Sequence, residues 1–199
     1  MPLDATSQDY ALDQLGTNKL TFASLHTAYS ATGANEVNGG SYARQAATWS
    51  AASAGSKALT TTLPSFSVPA STTVEYLGFW DASTLGNFQG MFPAGGGTVY
   101  TFTASASNNI FTAPGSGYSN GATVVIFPTA GSTIPGGFTA GTIYFVVSAS
   151  TDTFKLSATS GGSAITVTAD GSGIVQVITA ETFAGAGTYA VSAGTLTLA

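Results

Sequence analysis

Cysteine is absent from the 199-residue chain, and charged residues make up only 7% of it. Without a thiol, neither a disulfide framework nor a thiolate metal site can form. The formal net charge is -5, and the four basic residues are scattered at Lys19, Arg44, Lys57 and Lys155. A nucleic-acid-binding surface needs clustered positive charge to displace counterions from the phosphates. We therefore expect no nucleic-acid partner.

Long apolar runs are missing as well. No stretch is long enough to span a bilayer, and the first residues, Met1-Pro-Leu-Asp-Ala-Thr-Ser, have neither the basic patch nor the apolar run of a signal peptide. The sequence therefore predicts a soluble protein without a secretion signal and without a membrane partner.

Catalytic chemistry has few residues to draw on. His26 is the only histidine, and no Gly-x-Ser-x-Gly elbow accompanies it, so its position in a strand pattern favours a structural hydrogen bond. A hydrolase would need His26 to converge with Glu75 and Asp81, which share a predicted strand face. One histidine and no calcium-loop spacing predict no metal site, and no cofactor motif is present. We expect a protein that is not an enzyme.

The residues that are present favour a β-rich core. Hydrophobic residues reach 44%, while a surface covered by Ser, Thr, Asn, Gln and Gly favours a protein built into an assembly. β-Branched and aromatic segments separated by glycine-rich turns predict strands along most of the chain. The predicted strands cover residues 20–28, 42–50, 73–81, 99–103, 122–127, 142–147, 153–156, 164–168 and 173–178, with one or two more in 187–198.

One helix is predicted near the N-terminus, from an N-cap at Ser7 through Leu15. A helix this short needs a surface for its apolar side chains, Tyr10, Leu12 and Leu15. That surface is either the protein's own sheet or a neighbouring molecule, and the spacing does not distinguish the two. We treat residues 2–16 as a candidate attachment arm and these three side chains as candidate assembly contacts.

Glu36 and Arg44 flank a turn, Asn38-Gly-Gly-Ser-Tyr. One interpretation is a hairpin with a rim ion pair worth under about 1 kcal/mol. The other is that Arg44 and Tyr42 reach a neighbouring subunit, because Arg and Tyr are favoured anchors of interfaces. Both interpretations stay open, and both residues are candidate assembly contacts.

Three segments carry a resemblance to a known family. They are Ser24-Leu-His-Thr-Ala, the run Gly33-Ala-Asn-Glu-Val-Asn-Gly-Gly-Ser-Tyr-Ala-Arg-Gln-Ala, and Gly78-Phe-Trp-Asp-Ala. These segments resemble small virion proteins of tailed bacteriophages, which are described as decoration, minor tail or tail-fibre proteins. The resemblance extends over residues 19–92 and resumes at 191–198.

The segment between these regions resembles a second phage module, which recurs as an insertion in tail and capsid-associated proteins. The resemblance implies a discontinuous host domain, residues 1–99 plus 178–199, and an inserted module, residues 100–177. We expect an all-β protein: a β-sandwich or jelly-roll-like host domain with a short N-terminal helix, and a small β-barrel or sandwich as the inserted module.

The resemblance also implies a structural function in the virion, with assembly in the bacterial cytoplasm. Capsid decoration is the first expectation, with the major capsid protein as partner and a symmetric homo-oligomer as the bound form. The alternative is a minor tail, neck or tail-fibre protein that binds tail or neck proteins. Such a protein can also be an adhesin for host glycans, and its inserted module would then present Tyr118, Phe138 and Tyr144 outward.

Overall fold

The computed structural model describes residues 3–60 and 64–197. The chain forms two compact units: unit 1 consists of Met1–Phe92 and Ala180–Ala199, and unit 2 of Pro93–Thr179. That unit 2 is an inserted domain, with the boundaries predicted from the sequence, stays a prediction. Pro2 of the predicted arm and Leu198 of the C-terminal motif lie outside the described residues.

The N-terminal helix, α1, spans Ala5–Asn18. The predicted N-cap at Ser7 is wrong, because the carboxylate of Asp4 accepts the backbone N–H of Ser7 at 2.7 Å. Ser and Asp are both good N-caps, and the negative charge of Asp4 also suits the helix dipole. That hydrogen bond lowers the pKa of the Asp4 carboxyl. Among the described residues, no helix is both long and apolar enough to cross a membrane.

The other regular elements of the described residues are sixteen strands. The first eight are β1 (Phe22–His26), β2 (Gln45–Ala46), β3 (Ser56–Ala58), β4 (Ser65–Val68), β5 (Thr72–Val74), β6 (Tyr76–Trp80), β7 (Phe88–Pro93) and β8 (Tyr100–Ser105). The next eight are β9 (Ile110–Thr112), β10 (Thr123–Phe127), β11 (Tyr144–Val147), β12 (Thr153–Ser157), β13 (Gly171–Val177), β14 (Glu181–Phe183), β15 (Gly187–Ala190) and β16 (Thr195–Thr197).

Unit 1 is built on a four-stranded sheet of order β2-β1-β6-β7. β1 and β6 pair antiparallel from Phe22 opposite Trp80 to His26 opposite Tyr76. Every residue of β6 is buried, so both faces of this strand are covered. Side chains alternate between the faces of a strand, which puts Phe79 into the hydrophobic core and Trp80 on the opposite face.

The C-terminal segment returns to complete unit 1. β14 pairs with β5, β15 with β4 and β16 with β3, so that the tail runs antiparallel along residues 56–58, 65–68 and 72–74. These ladders supply core residues that pack together with those of the sheet: Phe66, Val68, Val74 and Val191 pack with Ala23, Leu25, Leu77 and Phe79. The four-stranded sheet and these ladders of unit 1 therefore share one core.

Unit 2 is a closed antiparallel barrel of order β10-β11-β12-β9-β8-β13. Its interior is filled by alternate residues of these strands, including Phe102, Phe111, Val124, Ile126, Val146, Phe154, Leu156 and Val175. The all-β class, the short N-terminal helix and the barrel form of the second module are thereby confirmed. The strand predicted at 164–168 does not form. Val167 there is buried, and its N–H binds the side-chain oxygen of Asn109 at 2.7 Å instead of a neighbouring strand.

Candidate functional site

The three sequence segments that carry the family resemblance meet around one tryptophan in unit 1. β1 supplies Ser24 and His26, and β6 supplies Gly78 and Trp80 on the same side of the sheet, with Ser24 directly opposite Gly78. The loop after β1 adds Glu36 and Arg44, which both belong to the second segment. We call this group the Trp80 cluster, and it consists of Ser24, His26, Glu36, Arg44, Gly78 and Trp80.

A chain of hydrogen bonds runs through the buried half of the cluster. The indole N–H of Trp80 donates to Ser24 Oγ at 2.9 Å, Ser24 Oγ lies 2.8 Å from His26 Nε2, and His26 Nδ1 lies 2.9 Å from the carbonyl oxygen of Ala34. An indole N–H only donates and a carbonyl only accepts. His26 therefore carries its proton on Nδ1, and the Ser24 hydroxyl donates to Nε2.

His26 and Ser24 resemble a nucleophile and its general base in spacing, but their surroundings serve structure. Both side chains are completely buried, so substrate has no path to either atom. Nδ1 of His26 binds the backbone carbonyl of Ala34. In a catalytic triad, by contrast, a carboxylate at this position stabilises the protonated form of the histidine. Burial lowers the pKa of His26 and keeps the ring neutral.

Two glycines leave the space that the cluster occupies. A Cβ on Gly78 would fall on His26 Nε2 and lie 2.7 Å from Ser24 Oγ. A Cβ on Gly33 would lie 2.5 Å from the Trp80 ring, and Gly33 also has a φ of +81°, which favours glycine. Glycine at these positions is therefore required by packing and by backbone conformation.

Arg44 joins the other half of the cluster. Its Nε lies 2.9 Å from Glu36 Oε1 and its Nη2 lies 2.7 Å from Glu36 Oε2, so the pair is bidentate. Nη1 donates to the carbonyls of Ala82, at 3.2 Å, and Leu85, at 2.7 Å. The side chains of Arg44 and Glu36 are only 11% and 21% exposed. This ion pair is largely desolvated, unlike the rim pair expected from the sequence.

Of the two interpretations left open for Glu36 and Arg44, the hairpin does not form. Glu36 forms a bridge with His26, while Gln45 pairs with Ala23, so both flanks of the loop pair with β1 and not with each other. The residues between them form a loop held together by the ion pair. The loop turns at two successive glycines, 39 and 40, with φ of 93° and 56°.

Tyr42 is also held within unit 1. Its hydroxyl accepts the N–H of Leu25 at 2.8 Å and donates to Glu36 at 3.3 Å, and its ring stacks on Phe66. Burial raises the pKa of the Tyr42 hydroxyl. The sequence proposed Tyr42 and Arg44 as assembly contacts. Most of their polar atoms form hydrogen bonds within the protein.

Helix α1 is fastened to its own unit by one face. Leu12 is completely buried, and the carboxylate of Asp13 binds Lys57 Nζ at 2.6 Å and the N–H of Ala52 at 3.0 Å. Asp9 accepts the N–H of Gly55 at 2.8 Å. The Lys57 bond is the main cause of the lowered pKa of Asp13. The sequence left open whether the helix packs on its own protein or on a neighbouring molecule. This face of α1 packs on its own protein.

The opposite face of α1 is open. Tyr10 on that face is 68% exposed, whereas Leu15, three residues from Leu12, lies beside the buried face and is 37% exposed. Of the three candidate contacts on the helix, Leu12 therefore belongs to the protein's own packing, while Tyr10 and Leu15 are accessible to a partner.

The aromatic residues proposed as outward-facing binders in unit 2 pack against its barrel core. Tyr144 is only 5% exposed, and its hydroxyl accepts the N–H of Thr139 at 2.9 Å. Phe138 packs edge-on against Phe111, with ring centroids 5.0 Å apart. Tyr118 packs against Phe154 at 5.4 Å, and burial raises its pKa to about 12. Tyr144 is therefore part of the barrel core, whereas Tyr118 and Phe138 are half-buried against it, and ligand binding by these two stays a prediction.

The residues that a hydrolase would need do not converge. Glu75 and Asp81 flank opposite ends of β6, a separation of about 20 Å for six extended residues. Asp81 caps its own turn by accepting the backbone N–H of Asn87 at 2.7 Å and its side-chain N–H at 2.8 Å. Within residues 3–60 and 64–197, no group of three or more His, Cys, Asp or Glu side chains is placed to hold a metal ion.

Comparison with known proteins gives one family similarity, and it covers the Trp80 cluster. Residues 15–95 match the family model of the podophage GP4 fiber I protein gp80. The matched region is less than half of the chain and contains every member of the cluster. It supports a bacteriophage structural protein that is associated with the virion. No curated protein and no solved structure matches the chain.

Sequence reasoning found only Arg44 of this cluster as a candidate site residue. Ser24 with His26, and Gly78 with Trp80, lie two positions apart inside the quoted segments, and a two-residue spacing puts a pair on one strand face. That spacing was the available signal. The pairing of β1 with β6, which brings the two pairs together, is a long-range contact that the spacing does not contain.

Proposed function

We propose that this protein is a non-enzymatic structural component of a bacteriophage tail, of the fibre type. The observation that carries the proposal is the similarity of residues 15–95 to a podophage fibre protein, over the residues that build the Trp80 cluster. We favour this function over capsid decoration because the similarity is to a fibre protein. The cluster acts as architecture, since its polar atoms bind one another and not a substrate.

The exposed apolar side chains of unit 1 are suitable for contacts with other virion proteins. Tyr10 lies on the open face of α1, and Leu85 is 88% exposed at the tip of the turn after β6. Leu85 has a φ of +55°, an unfavourable conformation for leucine that the hydrogen bond from Arg44 to its carbonyl holds in place. A turn whose backbone is already held in place has less loop entropy to lose when a partner covers its apolar side chain. We assign these positions to tail contacts, including contacts between copies of the chain in a symmetric oligomer.

The test is the distribution of the protein between phage heads and complete particles. Particles are purified from a wild-type infection, and tailless heads from a mutant that lacks tail assembly, and the protein is quantified in both by mass spectrometry against the major capsid protein. The proposal predicts the protein in complete particles and its absence from heads. Equal amounts in both would support capsid decoration, and absence from both would show that the protein is not part of the virion.

A further inference from the structure

An open groove of about 430 Å³ lies on unit 2, where β8 ends and β9 and β13 begin. This volume is within the usual range of small-ligand sites. The polar side chains of its lining come from three strands and the turn between β8 and β9: Thr103, Ser105, Asn108, Thr112, Asp170 and Ser172. The site is separate from the Trp80 cluster, which belongs to unit 1.

A row of hydroxyl groups crosses the groove. Ser172 on β13 lies directly opposite Thr103 on β8, and Thr103 lies directly opposite Thr112 on β9. Directly opposite residues have Cβ atoms about 5 Å apart on the same sheet face. Their chain neighbours Phe102 and Phe111 point into the barrel, so the row points outward. None of the three hydroxyls forms a hydrogen bond with another of the described residues.

Beside this row, two more polar side chains are held by hydrogen bonds to the backbone of the turn between β8 and β9. Asn108 Oδ1 accepts the N–H of Ile110 at 3.1 Å, and Asp170 Oδ1 accepts the N–H of Ala106 at 2.7 Å. In each side chain, the hydrogen bond to Oδ1 fixes the orientation of the group. The other atom, Nδ2 of Asn108 and Oδ2 of Asp170, has no hydrogen-bond partner among the described residues.

The charge of the groove restricts the ligand. Its lining has no basic residue, and the whole of unit 2 contains Lys155, Asp152 and Asp170 as its only charged residues. An anion would find no counter-charge here and would face the carboxylate. A purely apolar ligand would bury five polar groups without partners, which is costly. A ligand rich in hydroxyl groups satisfies both donors and acceptors, and Ile110 offers it one apolar contact.

We propose that this groove binds a neutral saccharide through the hydroxyls of Ser172, Thr103 and Thr112 and the free atoms of Asn108 and Asp170. The inference rests on the proposed function, because a virion protein is exposed to the saccharides of a cell surface, and it names the ligand class that unit 2 takes. It also moves glycan binding from the aromatic residues, which are buried in the barrel core or packed against it, to a polar groove on the outside of the barrel.

The test uses the full-length protein, labelled with a fluorophore, on a printed array of neutral and acidic oligosaccharides. The variant Thr103→Val with Thr112→Val removes two hydroxyls with little change of shape, and Asp170→Asn keeps the bond to Ala106 while changing the free atom. The control is Thr101→Val, which makes the same change at another exposed position of β8, outside the groove lining. We expect binding to neutral saccharides, weakened about tenfold or more in the double variant and unchanged in the control.

Three results would overturn this inference: no binding of the wild-type protein to any neutral saccharide on the array, stronger binding to acidic saccharides, or equal binding by wild type and the double variant at unchanged melting temperature. The same variants are also assayed for incorporation into particles. Normal incorporation with no saccharide binding would reject the groove and leave the proposed tail function intact. Absence of the wild-type protein from particles would reject the tail function itself.

Discussion

Arg44 lies flat against Trp80, with its guanidinium carbon 3.5 Å from the centroid of the indole ring. The same guanidinium binds both carboxylate oxygens of Glu36 and two backbone carbonyls of the turn after β6. One side chain thus connects the loop after β1, the strand β6 and the turn that follows it. This contact explains why segments far apart in sequence form a single structural cluster. We therefore expect substitution of Arg44 to destabilise the protein.

Replacing Arg44 with Lys should lower the free energy of unfolding by about 2–4 kcal/mol, because Lys cannot make the bidentate pair, stack on Trp80 and reach the carbonyls together. The measurement is urea denaturation. The Glu36→Gln variant and the double variant complete a cycle, and we expect a coupling between the two residues above about 1 kcal/mol. A coupling energy below about 1 kcal/mol would mean that Arg44 and Glu36 behave like an exposed surface ion pair.

Replacing Gly78 with Ala should cost about 2–4 kcal/mol, since the added Cβ meets Ser24 and His26 and breaks their hydrogen bond. Gly185→Ala is the matched control, because nothing lies within 4 Å of the position that its added methyl group would take. Thermal melting of both variants checks this. Similar melting temperatures for the two would contradict the packing of His26 against β6.

The stability of the protein should depend on His26 at mildly acidic pH. Burial lowers its pKa from the ordinary 6.5, so below that pH the unfolded chain binds a proton that the folded chain does not. The contribution is complete above pH 6.5 and is lost as the pH falls towards the folded pKa. We expect the wild type to lose more stability than His26→Gln between about pH 7.5 and 5.

This comparison cancels the other titrating groups. Glu75, whose pKa burial raises, is present in both proteins. Equal pH dependence of the two unfolding free energies would show that His26 takes up its proton in the folded state. His26→Gln should also leave incorporation into particles unchanged, because the ring is assigned to structure. A measurable hydrolytic activity that this variant loses while it stays folded would overturn the non-enzymatic assignment.

Local patterns predicted the strands well where alternation and β-branched residues agree, as in β1, β10 and β13. They failed where a side chain takes the place of a ladder partner: Asn109 holds residue 167 outside any strand, and Arg44 with Glu36 holds a loop that resembles a hairpin. Propensity carries no information about such long-range partners. The same reason explains the aromatic residues of unit 2, since only the closed barrel decides which rings face its core.

The two faces of α1 should respond differently to substitution. Leu12→Ala removes a completely buried side chain and should cost about 2–4 kcal/mol, whereas Tyr10→Ser on the open face should change stability by under about 0.5 kcal/mol. Melting temperatures of the purified variants measure this. If the open face contacts a tail protein, Tyr10→Ser should also reduce incorporation into particles.

Removal of residues 2–16 should therefore lower the melting temperature, because the buried side chain of Leu12 is lost and Lys57 loses its partner Asp13. The sequence alone favoured an arm whose loss affects assembly more than stability. An unchanged melting temperature of the truncated protein would contradict the packing of α1 on unit 1 and return the helix to that role.

Replacing residues 100–177 with a short glycine linker should leave unit 1 folded. The two ends of unit 2 lie side by side, since the N–H of Thr179 binds the carbonyl of Ala94 at 2.9 Å and Tyr100 pairs with Val175. A short linker can therefore bridge the gap at a small cost in closure entropy. Circular dichroism and melting of the deletion protein check this, and an insoluble product would show that the two units do not fold separately.

The central claim, that this chain is a structural component of the phage tail, is tested most directly by electron cryomicroscopy of the intact particle. The account predicts that unit 1 and the six-stranded barrel of unit 2 each fit density on the tail or its fibres. The same density on the capsid surface, or no such density on a particle resolved well enough to show both units, would contradict it.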